Sequence, residues 1–311
     1  MATAVIDGHY LLHRSLYSPG ADLVTTNGLP SGPTYVFLKV LWNFKDIGKP
    51  VVVFDSPGAR SAFRREIYPE YKVRAPAKTE EERLQKEENQ ILLVYTLRTL
   101  MNLLPKMGIP VVVVPGAEGD DVIYRLASHF SKSGEDVWAV SDDNDYLQFV
   151  NLPNTRVYQP MKDKRWDKAV FLEEHGFDSS FFIMYKALIG DGSDNIKGIH
   201  GIGEVTAGKI MKSLPSPDLM SLWDWANSGE KAMHKKVKEG FKDVLKRNMR
   251  LMDLQQMTLP DEQVMACYQE ALNKISIDVQ YVLEQFRKYE FHSFSYWTTW
   301  LMQQRMLSGK V

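Results

Sequence analysis

Apolar positions in the first half of the chain fall into short unbroken runs, and the segments between them have helical spacing. Residues 2–7 (ATAVID) are such a run, stopped by Asp7. Apolar runs of roughly four to eight residues bounded by turn formers read as buried strands. Residues 50–55 (PVVVFD), 110–115 (PVVVVP) and 136–141 (DVWAVS) repeat the pattern. Residues 33–45 (PTYVFLKVLWNFK) predict a helix with Pro33 in its first turn, where a missing N–H costs nothing. Residues 79–104 predict a longer helix, opened by Thr79 as N-cap with Glu82 three residues on, the spacing of a capping box. Residues 118–130 (EGDDVIYRLASHF) predict an amphipathic helix. Strand alternating with helix predicts an α/β fold: a mainly parallel central sheet with right-handed crossovers and helices on both faces.

Beyond about residue 165 the pattern turns helical. Residues 177–190 (FDSSFFIMYKALIG) predict a helix ending at glycine, and 198–214 (GIHGIGEVTAGKIMKSL) a glycine hairpin feeding another helix. The chain thus divides into an α/β unit over 1–165 and a helical region over 166–311. Residues 73–90 are highly charged around Ala75-Pro76-Ala77 and offer little to bury, which predicts either a mobile excursion or a solvated helix.

A length of 311 residues with 44% hydrophobic and 25% charged content is ordinary for a globular protein of one large or two smaller domains. Cys267 is the single cysteine, which excludes an internal disulfide or a cysteine zinc site and suits a reducing cytoplasm. The opening MATAVIDGHY lacks the basic region of a signal peptide, and no apolar run reaches membrane-helix length, so a cytoplasmic protein is expected. The net charge of −1 argues at first against a nucleic-acid partner. Distribution matters more. Residues 231–250 hold eight Lys or Arg against two acids, and residues 60–74 add Arg60, Arg64, Arg65, Lys72 and Arg74.

The acids mark the other end of the molecule. In open parallel sheets, ligands bind beyond the carboxyl ends of the strands. The first predicted strand ends in Asp7 and the second in Asp55; the third runs into Glu118, Asp120 and Asp121, and the fourth into Asp142, Asp143 and Asp145. The predicted helix end near residue 190 adds Asp191 and Asp194. A single Asp after a strand is most often a turn former or helix cap, and Asp121 and Asp142 stay open to that reading. So many carboxylates on one rim repel one another unless divalent cations sit among them. Mg²⁺ and Mn²⁺ take oxygen ligands, and a pair of such ions clamps the attacking and leaving oxygens of a phosphoryl displacement.

These residues carry a resemblance. VIDGHYLLHRSLYS, VVVFD, FRREIYPEYK, PGAEGDDVIYRLA, SDDNDYLQ and GDGSDNIKGIHGIGEVTA resemble, in order, the motifs of the 5′ nuclease superfamily. That superfamily comprises the 5′–3′ exonuclease domain of bacterial DNA polymerase I, stand-alone bacteriophage 5′ exonucleases and flap endonucleases. The resemblance covers about residues 2–295 and implies a PIN-like α/β core with a helical arch near residues 72–95 and a helix-hairpin-helix near 179–214. It implies two Mg²⁺ (or Mn²⁺) ions, one served by Asp55, Glu118 and Asp120 with Asp7 nearby, the other by Asp143, Asp145, Asp191 and Asp194. It assigns catalytic roles to Asp7, Asp55, Asp143 and Lys72, the last as a compact cation near the scissile phosphate. Tyr71 is expected to stack on a base or to support the lysine, and Arg14 to face phosphate.

The family usually has an arginine three residues beyond the lysine; here Arg74 follows Lys72 by two, and it either fills that role from a shifted backbone or is a surface arginine. The arch segment is acidic, with Glu80, Glu81, Glu82, Glu87 and Glu88, so a purely basic tunnel is not written here. Gly201 and Gly203 would let the hairpin backbone approach a phosphate, and the resemblance implies K⁺ on the hairpin carbonyls. The basic block at 231–250 reads equally as a duplex-backbone surface or a solvated helix face.

The expected function is hydrolysis of DNA at 5′ ends, flaps or nicks to 5′-phosphate and 3′-hydroxyl products in replication or repair. RNA primers are among the implied substrates. A separate polymerase or single-strand-binding protein is an implied partner of a monomeric enzyme. The rivals are a PIN-type ribonuclease and a non-catalytic binder of DNA structures. A haloacid-dehalogenase phosphatase is disfavoured because Asp7 lacks a second Asp two residues on.

Overall fold

The structure, a computed structural model, describes residues 2–58, 62–73, 76–256 and 258–307; Arg60 and Arg74 lie outside them. The chain runs β1 (Thr3–Asp7), α1 (Gly8–Leu16), α2 (Gly32–Trp42), β2 (Lys49–Val53), α3 (Ala62–Ile67), α4 (Glu80–Lys106), β3 (Val111–Val112), α5 (Gly119–Lys132), β4 (Val137–Val140), β5 (Thr155–Gln159) and β6 (Lys164–Trp166). Then follow α6 (Lys168–His175), α7 (Phe182–Ile189), the ribbon β7 (Gly190–Asp191) and β8 (Ile196–Lys197), α8 (Glu204–Ser213), α9 (Leu219–Asn227), α10 (Ala232–Gly240), α11 (Lys246–Met252), α12 (Asp261–Asn273), α13 (Val279–Lys288) and α14 (Ser295–Leu307).

The main sheet has the order β3-β2-β1-β4-β5-β6, parallel except for β6. The predicted third strand over 110–115 is shorter than expected, with ladder pairing only at Val111 and Val112. The apolar pattern does not predict the edge strands β5 and β6. Strand periodicity sends alternate side chains to opposite faces. Val5, Val51 and Val53 enter one core with α5, α7 and α8, while Ala4, Ile6 and Val52 enter the other with α1, α2 and α4. The last helices fold back onto this second core through Phe286, Trp297 and Leu301.

Of the charged segment at 73–90, residues 80–90 form a solvated helix, while 74 and 75 lie outside the described residues: from Glu80 through Ile91 the residues of α4 are exposed or half-exposed, and Leu93 is its first buried residue. Thr79 caps it as expected, accepting from the Glu82 N–H at 3.1 Å, while the Glu82 carboxylate reaches back to the Lys78 N–H at 2.7 Å.

Sheet order also fixes where a ligand goes. The chain builds outward from β1 through β2 to β3, then returns to add β4 on the other side of β1. That reversal opens a crevice beyond the carboxyl ends of β1 and β4.

Candidate active site

Asp7 closes β1 at this crevice and caps α1, accepting the Tyr10 N–H at 2.8 Å and the Ser141 hydroxyl at 3.0 Å. Beyond β2, Asp55 accepts the Gly119 N–H at 2.5 Å, and its own N–H donates to His9 Nδ1 at 2.9 Å. Glu118 and Asp120 open α5, and Asp120 accepts the Tyr146 hydroxyl at 2.8 Å. Asp143 follows β4 and accepts the Asp145 N–H at 2.8 Å. Asp191 ends β7 and accepts the Ser193 N–H at 2.8 Å, and the turn from β7 to β8 holds Asp194. The eight carboxylates named from sequence therefore sit at strand and helix ends around one crevice.

Two ammonium groups stand within the rim. Lys72 Nζ lies 3.2 Å from Glu118 Oε2 and 3.9 Å from Asp194. Lys186 Nζ lies 2.8 Å from Asp145 and 2.5 Å from Asp191. Among the described residues no three carboxylate, histidine or cysteine side chains are grouped closely enough to hold an ion. The lysines supply positive charge there.

Glu118 is held unusually firmly. Its Oε2 accepts from Arg64 Nη1 at 2.9 Å, from the Tyr71 hydroxyl at 3.0 Å and from Lys72. Arg64, 3% exposed, also grips both oxygens of Asp121 at 2.7 and 3.0 Å and donates through Nε to the Leu251 carbonyl at 2.9 Å. Asp121 is thus a structural counter-charge rather than a simple helix cap. Asp142 accepts the Met161 N–H and the Tyr10 hydroxyl, tying β4 to the β5–β6 turn. Arg14 donates to that same Tyr10 oxygen at 3.0 Å. Tyr71 is 2% exposed, so its ring is closed to base stacking; of the two roles expected for it, support of Lys72 and Glu118 is the one its burial allows.

Lys72 has φ of 52°, a left-handed conformation rare for a residue with a side chain. Asn195 does the same at φ 57°. The two turns clip each other: the Lys72 N–H donates to the Asp194 carbonyl and Asn195 Nδ2 to the Glu70 carbonyl, both at 2.9 Å.

Burial, with added repulsion from Asp55, raises the Asp7 carboxyl above its ordinary range despite the Tyr10 and Ser141 donors. Asp120 is raised further, by burial and then by Asp7, with Lys72 opposing. Burial and Asp145 push Asp143 up to about 7. Asp194 is raised by burial against the pull of Lys72. Asp191 goes the other way: burial would raise it, but Lys186 and Ser193 hold it low. Burial disfavours the Lys72 ammonium, yet the carboxylates of Glu118, Asp120 and Asp194 together keep it charged.

The glycine hairpin lies between β8 and α8. Gly201 has φ of 74°, which a side chain would strain, while Gly203 is extended at φ −99° and serves as N-cap of α8 without a side-chain cap. Ile199 and Ile202 anchor the hairpin in the core, which leaves Gly201 and Gly203 exposed.

Sequence reasoning did not single out Lys186, Tyr146 or the pairing role of Arg64. Arg64 stood inside the Phe-Arg motif and Tyr146 inside SDDNDYLQ, where each could have been read; Lys186 is the one charged residue of the apolar helix α7.

A parallel sheet whose switch point carries buried carboxylates and two lysines suits the binding of cations and phosphate. Comparison with known proteins narrows it. The family described as "5′-3′ exonuclease, N-terminal resolvase-like domain" matches residues 2–176. A 5′-3′ exonuclease of Aquifex aeolicus (strain VF5) is 33% identical over 224 residues, covering 71% of this chain and 72% of that one. One from Buchnera aphidicola subsp. Acyrthosiphon pisum (strain APS) is 33% identical over 207 residues, covering 65% and 67%. The T5 5′-exonuclease with bound divalent zinc superposes with a TM-score of 0.68 at 21% identity, covering 88% of this chain and 99% of that one, a likeness of fold. The chain belongs to the 5′–3′ exonuclease family and is a nuclease.

Proposed function

We propose that this nuclease hydrolyses DNA phosphodiesters at 5′ ends and 5′ flaps with two divalent ions, leaving 5′-phosphate and 3′-hydroxyl ends. The observation that carries this reading is the convergence of Asp7, Asp55, Asp120 and Asp143 at the carboxyl ends of β1, β2 and β4 and the start of α5, where burial and carboxylate neighbours raise Asp7, Asp120 and Asp143. All the donors are hard oxygens, which fits Mg²⁺ or Mn²⁺. Asp55, Glu118 and Asp120 with Asp7 nearby would hold one ion, and Asp143, Asp145, Asp191 and Asp194 the other, partly through waters, since no three of these side chains stand close enough to bind an ion directly. Bound there, the ions would lower the proton affinity of an attacking water and neutralise charge building on the phosphate.

The protein's own groups do the placing. Lys72 puts a fixed cation beside Glu118, where a phosphate oxygen gains charge in the transition state. The uncapped N–H groups opening α8 and the exposed Gly201–Gly203 backbone suit a duplex phosphate, a contact without base specificity. K⁺ on the hairpin carbonyls belongs to the same reading. Arg14 keeps guanidinium donors beyond its Tyr10 bond for phosphate. No helix among the described residues is long and apolar enough to cross a membrane. We take the enzyme as a cytoplasmic monomer acting in replication or repair beside a separate polymerase or single-strand-binding protein, with RNA primers among its substrates.

Product sizing on a 5′-labelled flap duplex tests this. Mg²⁺ should give short products released at the flap base or from the 5′ end, and EDTA should abolish them. Equal cleavage in EDTA, or cleavage of the all-RNA version alone, would overturn it.

The raised carboxyls also predict how stability follows pH. In the metal-free protein these groups bind protons when folded that they have lost when unfolded, so stability falls as pH rises between about pH 4 and pH 7. Thermal melting in EDTA should show Tm dropping across that window from this cluster. Mg²⁺ or Mn²⁺ should raise Tm strongly at neutral pH and weakly at about pH 5. A metal-induced Tm shift of equal size at both pH values would contradict the placement of ions among these acids.

A further inference from the structure

The basic block at 231–250 divides into two halves that face different ways. In α10, the Lys236 ammonium lies against Gly201, so close that a Cβ there would strike it; this half belongs with the hairpin. A wide π-helical turn, Phe241–Leu245, then leads into α11. Lys242, Lys246 and Arg250 are spaced four apart and all exposed, which aligns them in one row. That row faces α3 instead of the hairpin. With Arg247, Phe63 and Ile67 it lines an open groove of about 670 Å³. Two acids, Glu66 and Asp243, also border the groove, against four cations. Arg250 lies over the Phe63 ring at 5.8 Å and Arg247 over Tyr68 at 4.4 Å.

The position of α3 ties this groove to the chemistry. One face of α3 sends Arg64 inward to Glu118, and another supplies Phe63 and Ile67 to the groove. The groove is therefore about one helix diameter, roughly 10 Å, from the carboxylate rim. The chain leaves α3 through Tyr68 and Lys72 towards α4, whose solvated half carries Glu80, Glu81, Glu82, Glu87 and Glu88. Arg83 pairs with Glu80 and Glu87, and Lys86 adds a second cation, so this half keeps an acidic excess where the groove has a basic one.

We propose that this groove binds the single-stranded 5′ arm of a flap substrate, with Lys242, Lys246 and Arg250 on phosphates and Phe63 and Ile67 against bases. Cationic grooves with an aromatic wall are the common solution for single strands, because unpaired bases offer their faces and paired ones do not. The duplex has its own surface at the hairpin and α10. The inference rests on the function proposed above.

The test is binding without cleavage. The triple variant Lys242→Ala, Lys246→Ala, Arg250→Ala is compared with the unaltered protein in EDTA by fluorescence anisotropy. One probe is a duplex with a long single-stranded 5′ flap, the other the same duplex nicked without a flap. Flap binding should weaken about tenfold or more at low salt, and the slope of log K against log salt should become shallower by about 2, from three contacts at about 0.7 each. Binding of the nicked duplex should not change. Equal loss on both probes would make the groove a duplex surface, and no loss on either would remove it from DNA binding; each overturns the proposal. Should the triple variant fold poorly by circular dichroism, Lys246→Ala alone should shift the flap slope by about 0.7, and no shift overturns the proposal. Failure of the unaltered enzyme to cleave in Mg²⁺ would sink the function instead, since the flap-specific binding difference is read without turnover.

Discussion

Replacing Lys72 with alanine is expected to lower single-turnover cleavage of a flap substrate by two to three orders of magnitude, about 10²–10³. The ammonium stands 3.2 Å from Glu118, is held charged by its neighbours, and is fixed through a strained backbone rather than left on a free surface chain. A preset cation in a half-buried site stabilises charge that appears only in the transition state, so its loss should fall on kcat more than on KM. It should also act on the acids. Lys72 lowers the proton affinity of Asp120 and Asp194, so without it both carboxyls rise further and protons compete harder with Mg²⁺. The acidic limb of the pH–rate profile should therefore move to higher pH. Activity near that of the unaltered enzyme, with an unmoved profile, would take Lys72 out of the chemistry.

Arg64→Ala is expected to cost about 3–5 kcal/mol of stability, the range for removing one partner of a buried ion pair. Glu118 and Asp121 are 4% and 6% exposed and would lose their shared guanidinium, and the Leu251 carbonyl would lose its donor. Asp121 is already raised by burial, with Arg64 holding it down. Without Arg64 the folded protein gains most from keeping that carboxyl protonated, so the loss should be larger near pH 8 than near about pH 5.5. Urea unfolding at the two pH values measures this. Arg64→Met combined with Asp121→Asn should recover part of the loss by removing the stranded charge along with its partner. A change under about 1 kcal/mol, typical of surface pairs, would refute the role given to Arg64.

The acid rim was legible because strands deliver their last residue to one edge by geometry alone. Asp7 and Asp55 end apolar runs, and once the sheet is parallel those ends coincide. Glu118, Asp143 and Asp194 follow by the same logic from turns after apolar segments. Pairing between side chains distant in sequence has no such periodic signature. Arg64 and Asp121 are 57 positions apart, and nothing in the spacing of either says they meet. Lys186 was hidden for a related reason: in FIMYKALI it interrupts an apolar helix, and only the fold shows its ammonium between Asp145 and Asp191. Strand β5, TRVYQ, lacks an apolar run, since one face is buried and the other carries Arg156. The run PVVVVP at 110–115 shows the converse limit, because hydrophobicity predicts burial there but not how many rungs the neighbouring strand offers.

The clip between Lys72–Glu70 and Asp194–Asn195 has a consequence for timing. The Asp194 turn continues through β8 directly into the glycine hairpin. A duplex bound at the hairpin, as proposed above, would steady the turn that sets the lysine's backbone. Coupling free energies are reciprocal, so a phosphate seated at Lys72 must tighten the hairpin's hold on the duplex by the same factor. On the proposed function, these two hydrogen bonds would make commitment to cutting depend on possession of both parts of a junction.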